Sequence, residues 1–350
     1  MAKVLLHSVA IDTDREPPGV SPDADPLQGQ WEFFQGPQKL VTESFHLDPF
    51  KVHSITNDPE EADYIIFLEI GAQGLFLEWV RRHRFVKKYR EKCFIFSTMD
   101  YTPAFFPGLF ASLEKNRYNP ARTRTGYYLR IDPNPFLRFH PFAEHPKYLA
   151  CFVGTMKHHP VRMAMKQLPA DRFLIEDATA FAQKAQWLAP EERSKNFWPH
   201  YAEAFASSAF ALSPRGIGSG SIRLFEAMQM GRCPVILSDD WVFPERVNWA
   251  ACSITVAEKD VARLPEILDE RLSSAEELGK QARLEWEKYY APSVRFHWLV
   301  EDCVAMREAR RIPEAIAGRL AWLELMRPSV LIQYLRSKKQ IYRKERRIIL

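Results

Sequence analysis

The residues best suited to chemistry lie between positions 213 and 231, where a glycine-rich turn joins an apolar run to a helical one. The glycines of the turn are Gly216, Gly218 and Gly220. Glycines let backbone N–H groups approach an anion closely, and a helix start near Ser219 or Ser221 adds free donors and a partial positive charge. Arg215 can add a bidentate contact. The turn therefore predicts a site for a pyrophosphate.

Glu226 lies further along the predicted helix, on the same face as Ile222 and Arg223. A carboxylate there can accept both hydroxyls of a ribose. The alternative is a turn that serves only tight packing, with Glu226 paired to Arg223. Gly231 and then Pro234 match the usual signal for the end of a helix. The glycine spacing matches neither the dinucleotide fingerprint nor the P-loop.

Strands and helices that could position this turn alternate along the chain. In the first part, strands are predicted at 3–6, 64–68 and 93–96, with a helix over 75–90 and a proline-rich loop over 16–37. In the second part, strands are predicted at 148–153, 172–175, 209–212, 234–237 and 253–256, and helices at 158–168, 197–207, 219–230 and over 258–310. This alternation indicates parallel pairing with right-handed crossovers, and hence doubly wound α/β sheets.

A chain of 350 residues is long enough for about two domains of roughly 150 residues each. Four prolines between 132 and 147 interrupt helices and sheet ladders alike, so this segment is the predicted linker. We expect a ligand cleft between the two domains, at the carboxyl ends of their strands.

Composition favours a soluble globular protein, with 46% hydrophobic and 26% charged residues. The sequence has no run of about 18 apolar residues, and the apolar run at 4–6 is too short for a signal peptide, so we expect a cytoplasmic location. The five cysteines are odd in number and lack short paired spacings. They predict reduced core thiols rather than a disulfide framework or a zinc site.

Positive charge is concentrated at the end of the sequence. Residues 336–350 hold seven basic residues against Glu345, a balance of +6 within a net charge of +4, which leaves −2 for the remaining residues. A basic surface for nucleic acid is therefore not indicated. Together with the apolar residues of 330–350, this charge could lie on an anionic membrane surface, peripheral on its inner face, or form a solvated terminal helix.

Several short motifs follow one another in the second part of the chain. They are Pro214-Arg215-Gly216, Gly220-Ser221-x-Arg223, Glu226-Ala227 and Pro234-Val235-x-Leu237-Ser238, followed by Trp241, Pro244 and Trp249. Residues 148–154 with Arg162 precede them, and Trp286-x-x-Tyr289-Tyr290 follows. Together these motifs resemble the donor-binding half of the exostosin family of glycosyltransferases. The resemblance covers about residues 148–300, under half of the chain.

The resemblance implies a GT-B fold, in which two Rossmann-like domains face a central cleft. It also implies an inverting transfer from a nucleotide diphosphate sugar, usually a uridine diphosphate sugar, to a glycan or lipid-linked glycan, with no required metal or further cofactor. Its donor-site residues fall here on Arg215, Ser221, Arg223 and Glu226, together with Gly216 and Gly220 of the turn, and less firmly on Gly154 and Arg162. We add Lys157 as a second phosphate cation.

The implied domains are an acceptor-side domain at 1–135, a donor-binding domain at 148–300, and C-terminal helices with the basic tail at 301–350. We expect this chain, unlike the animal members of that family, to have no membrane anchor and no cysteine-rich character, so the acceptor stays open.

Inverting transfer requires a general base, which in this layout is expected from the first domain. Candidates are side chains just past the ends of predicted strands. Asp100 ranks first, because burial in a proline- and aromatic-rich loop could raise its pKa; Glu69 and His7 are the other candidates. The alternatives are a turn aspartate, a solvated strand end and a satisfied histidine.

Two other functions fit parts of the sequence. One is a non-catalytic module that binds nucleotide sugars or glycans, and the other is an adaptor led by the basic tail. Asp12-Thr13-Asp14 and Asp23-Ala24-Asp25 match a manganese-binding pattern, but they lie in an early proline-rich segment rather than after several nucleotide-binding strands.

Overall fold

The computed structural model describes residues 1–9, 28–69, 75–98, 100, 106–130, 133–180, 190–326, 328, 331–332 and 335. The chain divides into two compact units. Unit 1 comprises Met1–Ile131 and Pro292–Leu350, and unit 2 comprises Asp132–Ala291. The Asp-x-Asp motifs at 12–14 and 23–25 and the basic tail at 336–350 lie outside the described residues.

The elements are named in chain order. The strands are β1 Lys3–His7, β2 Ser54–Ile55, β3 Tyr64–Glu69, β4 Cys93–Ser97, β5 Gly108–Phe110, β6 Thr123–Thr125, β7 Tyr148–Gly154, β8 Phe173–Asp177, β9 Ser208–Pro214, β10 Cys233–Leu237 and β11 Ile254–Thr255. The α-helices are α1 Gln28–Leu47, α2 Leu75–Arg82, α3 Arg84–Lys88, α4 Pro160–Ala164, α5 Pro190–Ala206, α6 Ile222–Gln229, α7 Trp249–Cys252, α8 Leu264–Arg271, α9 Ala275–Tyr289, α10 Arg295–Glu308 and α11 Glu314–Leu320.

Unit 1 contains a parallel sheet in the order β2-β1-β3-β4-β5-β6. Strands β3 and β4 are buried along their whole length, as expected where helices cover both faces of a parallel sheet. The apolar runs predicted as the first three strands are confirmed. The helix predicted over 75–90 is present but broken at His83, whose Nδ1 accepts the Phe85 N–H at 3.2 Å and caps α3.

The loop predicted over 16–37 is wrong from residue 28 onward, because α1 begins there and contains Pro37. A proline inside a helix costs about 3 kcal/mol through a lost hydrogen bond and a clash. The later turns of α1 are held by α10: the Phe296 N–H donates to Ser44 Oγ at 2.9 Å, and the rings of Phe45 and Phe296 pack edge to face at 5.0 Å. Tertiary packing therefore outweighs the local signal of Pro37.

Unit 2 contains a second parallel sheet, in the order β11-β10-β9-β7-β8. All five strands predicted for this part of the chain are confirmed. Helix α6 begins at Ile222 rather than at 219, and α5 begins well before the predicted 197. The predicted linker at 132–147 forms no helix or strand in its described part. Two parallel α/β sheets confirm the fold class expected of a GT-B chain.

Both sheets share one topological feature that locates candidate sites. In each, the second strand lies outside the first, and the third lies on the other side of the first. The winding therefore reverses between β1 and β3 in unit 1 and between β7 and β9 in unit 2. In open α/β sheets, ligands bind beyond the carboxyl ends of strands at such a reversal. Those ends carry His7 and Glu69 in unit 1, and Gly154 and Pro214 in unit 2.

All five cysteines are free and buried, which confirms the prediction of core thiols; they are Cys93, Cys151, Cys233, Cys252 and Cys303. Burial raises the pKa of the Cys93, Cys151 and Cys252 thiols to about 12. Among the residues described, no helix combines the length and apolar character needed to cross a bilayer.

Candidate functional site

The loop between β9 and α6 is tied to the end of β10 by hydrogen bonds at both of its ends. The Arg215 N–H donates to the Leu237 carbonyl at 2.9 Å, and Ser238 Oγ donates to the Ser219 carbonyl at 2.8 Å. Residues 215–221 are thus held beside the reversal between β7 and β9. The predicted pyrophosphate turn is therefore an ordered loop at the carboxyl edge of the sheet.

Arg162, on α4, lies beneath this loop and is buried. Its guanidinium donates to three backbone carbonyls, those of Arg215 at 2.8 Å, Pro214 at 3.2 Å and Thr155 at 2.9 Å. A Cβ on Gly216 would lie 2.9 Å from Nη2 of Arg162, so glycine allows this close approach. These contacts link the ends of β7 and β9 and place Arg162 as a support of the loop. The sequence had suggested it as a direct phosphate ligand.

Arg223, in the first turn of α6, reaches back to β7. Its Nε donates to the Val153 carbonyl at 2.7 Å, and its guanidinium lies 4.8 Å from the centre of the Phe152 ring. A Cβ on Gly154 would lie only 2.1 Å from Nη2 of Arg223, so Gly154 provides the space for this side chain. Within the described part of the chain, neither Nη group of Arg223 donates a hydrogen bond. Both groups can therefore receive an anion.

The start of α6 carries two buried hydroxyls. Ser221 is the N-cap residue, but its side chain makes no capping hydrogen bond. Ser219 and Ser221 are 1% and 7% exposed, and neither Oγ has a hydrogen-bond partner among the described residues. A buried polar group without a partner costs about 1–3 kcal/mol, so a ligand that supplies partners here is favoured. The first backbone N–H groups of α6 add donors to the same place.

The side chain of Arg215 lies close to two carboxylates. Its Nη1 lies 3.5 Å from Asp240 Oδ2 and 3.7 Å from Glu258 Oε1. Glu258 also accepts the Asp239 N–H at 3.0 Å, and Asp239 Oδ1 accepts the Glu258 N–H at 3.1 Å. This exchange fixes the carboxylate that faces Arg215. Sequence reasoning missed Glu258, which follows β11 and has no recognisable local motif.

His159 completes the acidic side of the loop. It caps α4, with Nδ1 accepting the Val161 N–H at 3.3 Å, and its Nε2 lies 3.8 Å from Glu258 Oε2. Burial lowers the pKa of His159 from its ordinary value, and Arg215 and Arg162 lower it further, while Glu258 opposes the shift. The shift favours the neutral form of the imidazole beside the arginines.

Glu226, on α6, is buried and is paired with a tyrosine. Tyr201 Oη donates to Glu226 Oε2 at 2.5 Å, and both side chains are buried. Sequence reasoning missed Tyr201. The available signal was the aromatic spacing of Phe197, Tyr201 and Phe205 along one face of α5, which predicts packing and does not identify a polar partner.

The other two predicted donor-site residues also lie at this edge. Gly220 is buried within the loop, and Lys157 is exposed in the 3-10 turn Met156–His158 directly after β7. The structure therefore brings every predicted donor-site residue to the carboxyl edge of the unit 2 sheet or to the helices that begin there.

The three predicted bases belong to unit 1 and differ in their surroundings. Glu69 is buried at the end of β3, where Oε1 accepts the Val9 N–H at 2.8 Å and Oε2 accepts from Ser8 Oγ at 3.4 Å, so this carboxylate supports the chain after β1. His7 is buried, with its ring 4.7 Å from His83 and 5.2 Å from Phe85. Asp100 follows β4 and is partly exposed.

Residues 140–270 match the family model described as the exostosin GT47 domain. This match includes the whole loop between β9 and α6 with its supporting residues, and none of the predicted bases. The Exostosin-1 homolog of Caenorhabditis elegans is 34% identical over 118 residues, which cover 33% of this chain and 30% of that protein. A probable glucuronosyltransferase of Oryza sativa subsp. japonica is 33% identical over 122 residues, covering 34% of this chain and 27% of that protein.

The crystal structure of TarM aligns with 77% of this chain and 58% of its own, at 9% identity and a TM-score of 0.42. The matches to the two curated relatives span less than a third of the length of either protein. The match to the family model is confined to residues 140–270, the part of the chain that contains the ordered loop. Residues 140–270, which contain the motifs between Tyr148 and Trp249, are accordingly similar to an exostosin GT47 domain.

Proposed function

We propose that the chain is an inverting glycosyltransferase that binds a nucleoside diphosphate sugar at the β9–α6 loop. The observation that carries the proposal is the pair of buried hydroxyls, Ser219 and Ser221, which lack partners in the described structure at the start of α6. They lie among the residues that match the exostosin GT47 domain, beside the reversal of the sheet where α/β proteins bind ligands. Several of the curated relatives are plant proteins named as probable glucuronosyltransferases.

The donor diphosphate would be held at the loop by several groups with separate tasks. The first N–H groups of α6 and the two serine hydroxyls would contact phosphate oxygens directly. Arg223 would add its two Nη groups. Arg215 flanks the loop between Asp240 and Glu258, and Lys157 is an exposed second cation. Arg162 would act as a positioning residue, since its donors serve the loop carbonyls.

Glu226 would bind the ribose of the donor. The phenol of Tyr201 donates to Oε2 and orients the carboxylate, and a carboxylate is an acceptor suited to the hydroxyls of a ribose. Uridine as the base follows from the family resemblance, and a glycan or lipid-linked glycan is the corresponding acceptor.

In the reaction, a base removes the proton of an acceptor hydroxyl while its oxygen attacks the anomeric carbon. The bond from that carbon to the diphosphate oxygen breaks, and the nucleoside diphosphate leaves from the opposite face with the bonding electron pair. We assign the base to Asp100, which is partly exposed. Glu69 is buried and supports the chain after β1, and His7 is buried among aromatic rings.

The donor site is tested by calorimetric titration of the protein with uridine diphosphate and a panel of other nucleoside diphosphates. Replacing both Ser219 and Ser221 by Ala should weaken binding by at least about tenfold, about 1.4 kcal/mol. Ser208→Ala is the matched control, because it removes a buried hydroxyl at the opposite end of β9, where Oγ donates to the Ala204 carbonyl. If no nucleoside diphosphate binds, or if the double variant binds as tightly as the parent, the assignment of the loop is wrong.

Chemistry is tested separately by release of the diphosphate from nucleotide sugars, with and without glycan acceptors. Asp100→Asn should abolish acceptor-dependent release while leaving the affinity for the nucleoside diphosphate unchanged. Binding without turnover by the parent protein, across the panel of donors and acceptors, would instead support a non-catalytic nucleotide-sugar module.

A further inference from the structure

Among the described residues, the last helix of unit 1 is buried along one face. Helix α11 and the 3-10 segment Ala321–Met326 bury Glu314, Ala317, Gly318 and Ala321. A Cβ on Gly318 would lie 2.2 Å from Nη2 of Arg90, which shows how closely this face packs.

The opposite face is apolar and open. Its large side chains, 47–81% exposed, recur at helical spacing and form what we call the C-terminal apolar face: Ile312, Ile316, Leu320, Leu323 and Met326. Leu331, Ile332 and Leu335 extend the exposed apolar set along the chain. An exposed apolar stripe of this size on a globular unit marks a surface that binds something.

A cavity of about 330 Å³ opens into this face. Ile312, Leu320 and Leu323 contribute to its lining, and Arg122 and Asn119 lie at its polar side. The guanidinium of Arg122 is held by Glu314 in a bidentate pair, so the polar part of the wall is neutralised by contacts within unit 1. The space that remains is suited to an apolar chain rather than to an ion.

Basic residues accompany the apolar face along the chain. The Arg81 guanidinium stacks at 4.2 Å over the ring of Trp322. Arg311, shortly before α11, and Arg319, within it, are exposed. Residues 336–350, which follow in the sequence, add a balance of +6, whereas the remaining residues carry −2. Two copies of this surface would oppose like charges, which disfavours self-association. Anionic lipid headgroups complement the charge, and acyl chains complement the apolar residues.

We propose that the C-terminal apolar face docks unit 1 onto the surface of an anionic lipid bilayer. Ile316, Leu320 and Leu323 enter the boundary between headgroups and acyl chains, and the basic residues contact the headgroups. The aromatic ring of Trp322 is suited to the same depth. This docking is independent of the proposed sugar transfer, because it involves none of the residues assigned to donor binding or proton removal.

The test is co-sedimentation of the full chain with phosphatidylcholine vesicles that contain or lack phosphatidylglycerol. The full chain should bind the anionic vesicles, and added salt should weaken that binding. Leu320→Glu combined with Leu323→Glu should reduce binding to anionic vesicles by more than about tenfold. Leu272→Glu combined with Leu284→Glu is the matched control, since these exposed leucines lie in unit 2, and it should bind as the parent does.

Thermal unfolding of both double variants checks that they fold, which is expected because all four side chains are exposed. Absence of binding to anionic vesicles, or equal binding by the Leu320/Leu323 variant, would overturn the proposal. Light scattering provides a second check: a dimer that becomes a monomer in that variant would show the face to be an interface between two copies.

Discussion

Tyr201 and Glu226 form a buried hydrogen-bonded pair in which the phenol donates to Oε2 of the carboxylate at 2.5 Å. The two residues come from neighbouring helices, α5 and α6. The phenol restricts the rotation of the carboxylate, which is a hydrogen-bond acceptor at both of its oxygens. A carboxylate held in this way is ready to receive hydroxyls with little further ordering.

Tyr201→Phe should therefore weaken binding of uridine diphosphate by about tenfold, about 1.4 kcal/mol. The same change should lower the free energy of unfolding by about 1–3 kcal/mol, because the buried Glu226 loses a donor. Calorimetry and urea unfolding measure the two effects. Tyr148→Phe, at the amino end of β7, is the control. Unchanged affinity in Tyr201→Phe would show that the pair has only a structural role.

Gly154→Ala should lower the affinity for the donor much more than it lowers the stability of the fold. The added Cβ would lie 2.1 Å from Nη2 of Arg223, so the guanidinium must move away from the Val153 carbonyl. Because the obstructing atoms belong mainly to the end of a flexible side chain, we expect a small loss of stability and a clear loss of donor affinity.

Gly279→Ala serves as the contrasting control for that experiment. Its Cβ would lie 2.4 Å from the backbone carbonyl oxygen of Gly231, which cannot move without shifting the chain. The change should lower the urea midpoint markedly and leave the affinity of the folded protein for uridine diphosphate unaltered. The reverse pattern in the two variants would contradict the proposed role of Arg223.

Glu314→Ala should be among the most destabilising substitutions in unit 1. Arg122 and Glu314 form a bidentate pair with contacts of 3.1 Å and 2.9 Å, and both are buried. Removing one partner leaves a buried charge, which costs about 3–5 kcal/mol. Replacing both residues by Met should recover much of the loss. In the exposed pair Lys280–Glu276, replacement of Lys280 by Ala should have no measurable effect on urea unfolding.

Acidification should destabilise unit 1 through His53. Its side chain is buried, with Nε2 2.9 Å from Glu301 Oε1. Burial lowers the pKa of His53 below its ordinary value of 6.5, although Glu301 and Asp48 oppose the shift. The neutral side chain therefore contributes stability that is complete above pH 6.5 and is lost as the pH falls from 6.5 through the lowered value.

Urea unfolding at several pH values around that range measures this loss. His53→Gln retains a donor for Glu301 without a titrating ring, so its stability should fall less between neutral and mildly acidic pH. An identical fall in the parent and in His53→Gln would assign the acid sensitivity to other groups.

Much of the fold could be predicted from the sequence because its signals are local. Buried parallel strands are short apolar runs, and the glycines and serines between β9 and α6 predict a loop. Reliance on local signals also explains why residues 28–37 were wrongly predicted as a loop. The helix that contains Pro37 is held by Phe296, which is far away in the sequence. Proline reports a local cost and carries no information about distant packing.

The candidate site was predictable in its location and less so in the tasks of its residues. The sequence shows that Arg162 and Arg223 are cationic. It does not show that Arg162 donates to three carbonyls, or that Arg223 donates through Nε alone within the described part of the chain. Glu258 and Tyr201 were missed because their partners, Arg215 and Glu226, are distant in sequence. Such pairings depend on the folded arrangement of side chains.

The burial of every cysteine gives the protein an intrinsic label for unfolding. Thiolates are the species that react with maleimides, and thiols whose pKa is raised by burial supply almost none at neutral pH. The rate at which Cys93 or Cys303 is modified would then report how fast unit 1 unfolds. The rates for Cys151, Cys233 and Cys252 would report the same for unit 2. Mass spectrometry of the labelled peptides could follow both units in one sample without an introduced probe.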